Sequence, residues 1–299
     1  MTAVIDFKDW MAQVQAQMEE ALAHYLPAST HIPERLHDAM RYSVLDGGKR
    51  VRPLLVFAAG QVVDADPQRL QAVGAALEMI HAYSLVHDDM PAMDNDVLRR
   101  GKPTVHVAFG EATALLAGDA LQTAAFDVLS ASTLADQPSD QLKMVNILAR
   151  ASGSLGMCGG QGIDLYSVGQ SLSLPELERM HILKTGALIR AAVLLGSYCG
   201  TSLSDEQRSG LDHYAKCIGL AFQVVDDILD CEADSVTLGK TAGKDAANNK
   251  PTYVALLGMK GAKEKAEELK QAAFAALAPF GEKAQLLHAL AGYIVDRKY

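Results

Sequence analysis

A chain of 299 residues, 49% hydrophobic and 21% charged, has apolar mass for a large core and is too apolar for a disordered or tail-like protein. Its formal charge of −9 argues against a nucleic-acid partner, because phosphate backbones select basic surfaces. No apolar run reads as a bilayer span (112–129 is interrupted, 187–199 too short), the amino terminus lacks a basic start, and Cys158, Cys199, Cys217 and Cys231 are scattered, so a reduced, cytoplasmic protein without a transmembrane segment is expected.

Helical periodicity runs along nearly the whole chain, and period-2 alternation is almost absent. Residues 6–26 read as an amphipathic helix, with Trp10, Val14, Met18, Leu22 and Tyr25 near one face. Pro33 opens a second helix that ends at Gly47-Gly48, and Pro53 opens a third, through Val63. Pro67 opens a fourth, which carries the chain down to Asp88. A loop at 101–104 precedes a helix over 111–130, whose alanines and Gly118 suit close helix–helix contact. A helix over 138–153 leads to the glycine-rich stretch 156–162. Two long helices follow, over 175–200 and 204–232, then a polar, basic loop over 239–250. Residues 252–259, 262–277 and 282–297 read as surface-packed helices. No low-complexity linker interrupts the series, so the expectation is one all-α domain over 1–299.

The densest chemistry lies at 87–100. Asp88, Asp89, Asp94 and Asp96 fall within nine positions, and Arg99-Arg100 follow. Carboxylates so close repel unless a cation sits among them, and Mg²⁺ is usually held by one or two carboxylates plus substrate phosphates. Arginine forks suit phosphate. A solvated acidic turn would read the same way alone, but a second cluster lies downstream. Gln223, Asp226, Asp227 and Asp230 follow helical i, i+3, i+4, i+7 spacing among Phe222, Val224, Val225, Ile228 and Leu229. A surface face would mix lysine with glutamate instead of using aspartate, a poor helix former. In the first cluster, Pro91 disfavours a continued helix, so a turn there would let Asp88 and Asp94 converge. His81, Ser84 and Asp88 share one helical face.

The cationic counterparts are Lys49, Arg50 and Arg52 in Gly47-Gly48-Lys49-Arg50-Val51-Arg52-Pro53, just before a helix start. Lys184, inside an apolar helix, requires an anionic partner or a lowered pKa. Lys240, Lys244 and Lys250 add a basic loop after the second acids. Two acid clusters and several cationic elements fit a diphosphate held between metal ions and Arg/Lys side chains, with charge stabilised on it as it departs.

These residues resemble the short-chain trans-isoprenyl diphosphate synthase family nearly end to end. The resemblance rests on Gly47 to Pro53, Asp88-Asp89 with Asp94 and Arg99-Arg100-Gly101, Gly160-Gln161 with Asp164, Lys184-Thr185-Gly186, and Gly219 to Asp230, in the family's order. It implies a bundle of long helices around a central cavity, usually as a homodimer. It implies that Asp88, Asp94 and Asp226 bind Mg²⁺, with Asp89, Asp227 and Asp230 in support. Arg99, Lys184 and Lys240 would hold the allylic diphosphate, and Lys49, Arg52, His81 and Arg100 that of isopentenyl diphosphate. Lys184, Thr185 and Gln223 would face the allylic cation. The spacing from Asp89 to Asp94 resembles that of bacterial farnesyl and plastid-type geranylgeranyl diphosphate synthases, and Tyr83, five before Asp88, favours a C15 product over C20 or C10. Asn95 and Val97 depart from the further aspartates common in close relatives. A terpene cyclase would lack the second aspartate motif and need no isopentenyl site, and a non-catalytic regulatory subunit would have lost one motif.

Overall fold

In the computed structural model, residues 6–232 and 252–297 are described. The Asp6 carboxylate accepts the Lys8 and Asp9 N–H groups and starts α1 (Phe7–Tyr25). Val14, Met18 and Leu22 of the expected face are buried, while Trp10 and Tyr25 are partly covered. Next come α2 (Glu34–Val44) and α3 (Val51–Val62). The latter begins two residues before Pro53, behind Arg50 in the left-handed conformation (φ 50). A cap from Asp66 and the proline at its first position begin α4 (Pro67–Asp88). A short antiparallel hairpin of β1 (Leu98–Arg99) and β2 (Lys102–Pro103) occupies the expected 101–104 loop, pairing Leu98 with Pro103 and Arg99 with Lys102.

The chain continues through α5 (Val105–Phe109), α6 (Glu111–Ala131), α7 (Pro138–Ser152) and α8 (Met157–Tyr166). The glycine-rich stretch thus forms a helix, with its small residues serving close approach: a Cβ on Gly160 would lie 2.1 Å from the Lys184 backbone nitrogen. In place of one regular helix over 175–200 there are three parts: α9 (Leu174–His181), a five-residue π turn (Ile182–Gly186) and α10 (Ala187–Tyr198). This Leu174–Tyr198 element is long and apolar enough to cross a bilayer, contrary to expectation, but 67% of its most apolar window is packed inside the protein. Then come α11 (Asp205–Glu232) and α12 (Tyr253–Ala276). Gly258, at φ 70, breaks α12 close to the expected boundary between two helices. A 3₁₀ turn (Ala278–Ala284) replaces the start of the last expected helix, and α13 (Gln285–Asp296) completes it.

The architecture is all-α. At its centre, α3 and α4 lie against α10, with α6 covering α4 and α12 covering α11. Gly196 of α10 sits so close to α3 that a Cβ would fall 2.4 Å from the Val56 carbonyl oxygen. Such contact brings the ends of α4, α8 and the π turn around one cavity of about 510 Å³.

Candidate active site

Asp88 is the last residue of α4, and the chain then folds back on itself. Met93 N–H donates to the Met90 carbonyl at 2.9 Å, Asp94 N–H to the Asp88 carbonyl at 2.8 Å, and Asp96 N–H to the Asp89 carbonyl at 3.1 Å. Asn95 takes φ 51. The turn expected at Pro91 therefore sets Asp94 beside Asp88. Burial, reinforced by the charges of Asp94 and Asp89 against the pull of Lys184 and Arg99, pushes the Asp88 carboxyl up to about 6. Asp89 points elsewhere. It is 3% exposed and takes a two-point grip from Arg99, Nε–Oδ2 2.8 Å and Nη2–Oδ1 2.6 Å.

Arg52, His81, Ser84, Asp88, Lys184 and Thr185 all line the cavity. The partner that Lys184 requires is Asp164 of α8, at 2.6 Å. Thr185 donates its hydroxyl to Gln223 Oε1 at 2.9 Å, which ties the π turn to α11 one helical turn before Asp226. His81 is held well below its ordinary pKa, first by burial and then by Arg52, Arg100, Arg99 and Arg50, so its ring is neutral among cations. Arg52 is shifted downward by burial, against the attraction of Glu78 and Asp226.

The seam of α11 divides. Asp226 accepts from Arg297 at 2.6 Å; the guanidinium also donates to the Phe222 carbonyl at 2.8 Å and lies 4.0 Å from the Phe222 ring centroid. Asp227, 4% exposed, accepts the Tyr253 N–H at 2.8 Å, where α12 begins. Asp230 follows one turn on, partly buried.

Two loops meet beside a smaller pocket that Arg99 and Arg100 line. Arg100 donates to the Gly47 carbonyl at 3.1 Å, and a Cβ on Gly48 (φ +102) would strike its guanidinium at 2.9 Å. Burial and then Arg50 lower the Arg100 pKa. Lys49 is lowered by burial and by Arg297, and drawn back up by Asp226, which places it near the second acids. Arg50, by contrast, is a scaffold residue, 6% exposed, bonded to Glu78 at 2.7 Å and Glu19 at 2.9 Å. Lys240, with Lys244, Lys250 and the 239–250 loop, lies outside the described residues.

Among the described residues, no three His, Cys, Asp or Glu side chains gather tightly enough to hold a metal ion by themselves. The donors suit a hard divalent cation all the same. Asp88 and Asp94 are crowded anions whose repulsion a cation would relieve, and an ion that takes one or two carboxylates and completes its shell with phosphate and water needs no protein cage.

Sequence reasoning missed Arg297 and the pairing of Asp164 with Lys184. It also missed His181, 6% exposed, whose ring stacks on Tyr253 at 5.6 Å and whose two nitrogens have no hydrogen-bond partner. An unexplained interior histidine before Lys184 was the available signal. A second cavity, about 620 Å³ between α7, α10 and α11, is lined by Arg150, Arg190 and Arg208, of which Arg190 pairs with Asp212 and Arg208 lies 5.3 Å from the Tyr198 ring centroid.

The sequence pattern of the polyprenyl synthetase family matches residues 33–289. The chain is 48% identical to the farnesyl diphosphate synthase of Haemophilus influenzae, over 98% of this chain and 99% of that one. It is 46% identical to a chloroplastic geranylgeranyl pyrophosphate synthase of Catharanthus roseus, over 98% of this chain and 82% of the relative. The crystal structure of an FPP/GFPP synthase from Zymomonas mobilis superposes with TM-score 0.87 at 43% identity, covering 97% of this chain and 99% of that one.

Proposed function

This chain belongs to the polyprenyl synthetase family, and from that premise we propose its product, its metal and the roles of its residues. It condenses isopentenyl diphosphate with dimethylallyl and then geranyl diphosphate, giving farnesyl diphosphate. The C1–O bond of the allylic substrate breaks and both electrons leave with diphosphate. The isopentenyl double bond attacks the allylic carbon, a C–C bond forms, and a proton is lost to the departing diphosphate.

The observation that carries the assignment of roles is that Asp88, Lys184 and Thr185 line the same cavity as Arg52 and His81. Asp88, Asp94 and Asp226 would hold Mg²⁺, which when bound would withdraw charge from the allylic diphosphate. Arg99, Lys184 and Lys240 grip that diphosphate. Arg52, His81, Lys49 and Arg100 form the pocket for the isopentenyl diphosphate. The neutral His81 ring can donate to a phosphate oxygen without adding a charge that the surrounding arginines would repel. The Lys184 and Thr185 backbone dipoles and the Gln223 amide face the cation.

A homodimer is supported by large apolar side chains left on the outside of α6 and α7: Leu115 (47% exposed), Leu116 (54%) and Leu142 (70%). The place of work is the cytoplasm, for which four cysteines scattered along the sequence, in no metal-type spacing, speak.

Chain length rests on Tyr83 and Ser84. Both line the cavity, and Tyr83, 8% exposed, packs edge-on against His87 at 5.8 Å. The large Tyr83 ring on the cavity wall favours C15. The C20 reading keeps support from Ser84, whose small side chain leaves room beside it. The deciding assay incubates pure protein with Mg²⁺, dimethylallyl diphosphate and isopentenyl diphosphate and reads the carbon count of the product. C15 is expected, and a C20 or C10 end product would overturn the chain-length reading. Tyr83→Ala should lengthen the product and Ser84→Phe should shorten it. Unchanged lengths in both would place the floor elsewhere.

A further inference from the structure

We propose that Gln161 is a further catalytic residue of this reaction, its amide carbonyl facing the allylic cation and its NH₂ donating to the departing diphosphate. The inference rests on the prenyl-transfer reading given above. Gln161 lines the cavity with Asp88, Lys184 and Thr185. Its Oε1 and Nε2 are both sealed from solvent, and neither has a hydrogen-bond partner.

Three of the neighbouring polar side chains are already engaged. Lys184 is bonded to Asp164, the Ser84 hydroxyl to the His81 carbonyl at 2.8 Å, and Thr185 to Gln223 Oε1. That last bond matters most, because it spends the Gln223 carbonyl on a hydroxyl donor. Gln161 offers the cation an acceptor not already spent in this way. A buried amide with both ends unsatisfied is what interiors avoid, so its presence beside the reacting groups points to a partner that arrives with substrate.

Its position is fixed by backbone. Gly160 abuts the Lys184 nitrogen with no room for a Cβ, so α8 and the π turn keep one spacing. Asp164, three residues along α8, anchors the lysine on that side. A preorganised neutral dipole suits the task. It stabilises charge as the C–O bond breaks, needs no reorganisation, and cannot compete as an anion for the metal.

The test compares wild type with Gln161→Leu and with Gln161→Met, which preserves side-chain length. Single-turnover rates should fall about a hundredfold, as when one preorganised dipole is removed, with KM for both diphosphates nearly unchanged. Affinity for an ammonium analogue of the allylic cation, measured with inorganic diphosphate, should fall in step with the rate. Affinity for an unreactive thiolodiphosphate substrate analogue should hold. The melting temperature should rise, because an unsatisfied buried amide is replaced by apolar atoms. A rate within a few-fold of wild type, an unchanged ammonium affinity, or a lowered melting temperature in both variants would each overturn the proposal. An inactive wild type that binds none of these probes would overturn the wider reading instead.

Discussion

The acids after α4 sit on a turn, whereas those of α11 sit on an unbroken helix, yet each adjacent pair of aspartates divides in the same way. Asp88 and Asp226 carry the more accessible carboxylates, while Asp89 and Asp227 are 3% and 4% exposed and are bonded into the scaffold. Asp89 secures the hairpin through Arg99, and Asp227 secures the start of α12 through the Tyr253 N–H. The regions differ in what relieves their charge. Asp226 rests against Arg297, but Asp88 stays crowded by its acidic neighbours. A doubled aspartate therefore sets a more accessible carboxylate beside a buried one that anchors the chain around it.

The sharpest way to break that comparison is to separate the proposed ligand from its anchoring neighbour. Asp88→Ala should lower turnover by about a thousandfold, as loss of a principal electrostatic contact does, and leave the melting temperature unchanged or higher. Near-normal Mg²⁺-dependent activity would remove Asp88 from the site. Asp227→Ala should act chiefly on stability, by roughly 1–3 kcal/mol, since it leaves a buried N–H without its acceptor. Denaturant melts of Asp226→Ala and Asp227→Ala side by side would test this, and equal losses would mean the two do not divide as described.

The smallest effect concerns pH. The Asp88 carboxyl titrates near 4 in an unfolded chain and at about 6 here, so its ionisation costs the metal-free fold stability as pH rises across that interval. A cation must displace its proton. Mg²⁺ affinity by calorimetry should therefore drop about fourfold from about pH 7 to about pH 5.5, given a carboxyl at about 6. In Asp88→Asn that dependence should vanish, and its persistence would assign the proton to another group.

The helices were readable because prolines at 33, 67, 138 and 175 stand at or beside helix starts, and the turn after Asp88 because Pro91 interrupts a strong pattern. Three kinds of feature escaped. The π turn at Ile182–Gly186 leaves apolar periodicity almost intact, so its sequence looks like ordinary helix. The roles of Asp227 and Arg50 depend on partners far along the chain, Tyr253 and Glu78, whereas the sequence shows only helical spacing for Asp227 and adjacency to Lys49 for Arg50. The glycine-rich stretch 156–162 carries no helical pattern of its own, and the reason for Gly160 is tertiary: the Lys184 backbone passes beside it.

The wider turn before α10 also says something about which sequence changes this protein can survive. One surplus residue there rotates everything before it by about 100° relative to α10. Deleting a single codon from this stretch would yield a smoother, more regular helix, and would swing Lys184 away from Asp164. Substitutions among its apolar side chains should be forgiven far more readily than any change in its length.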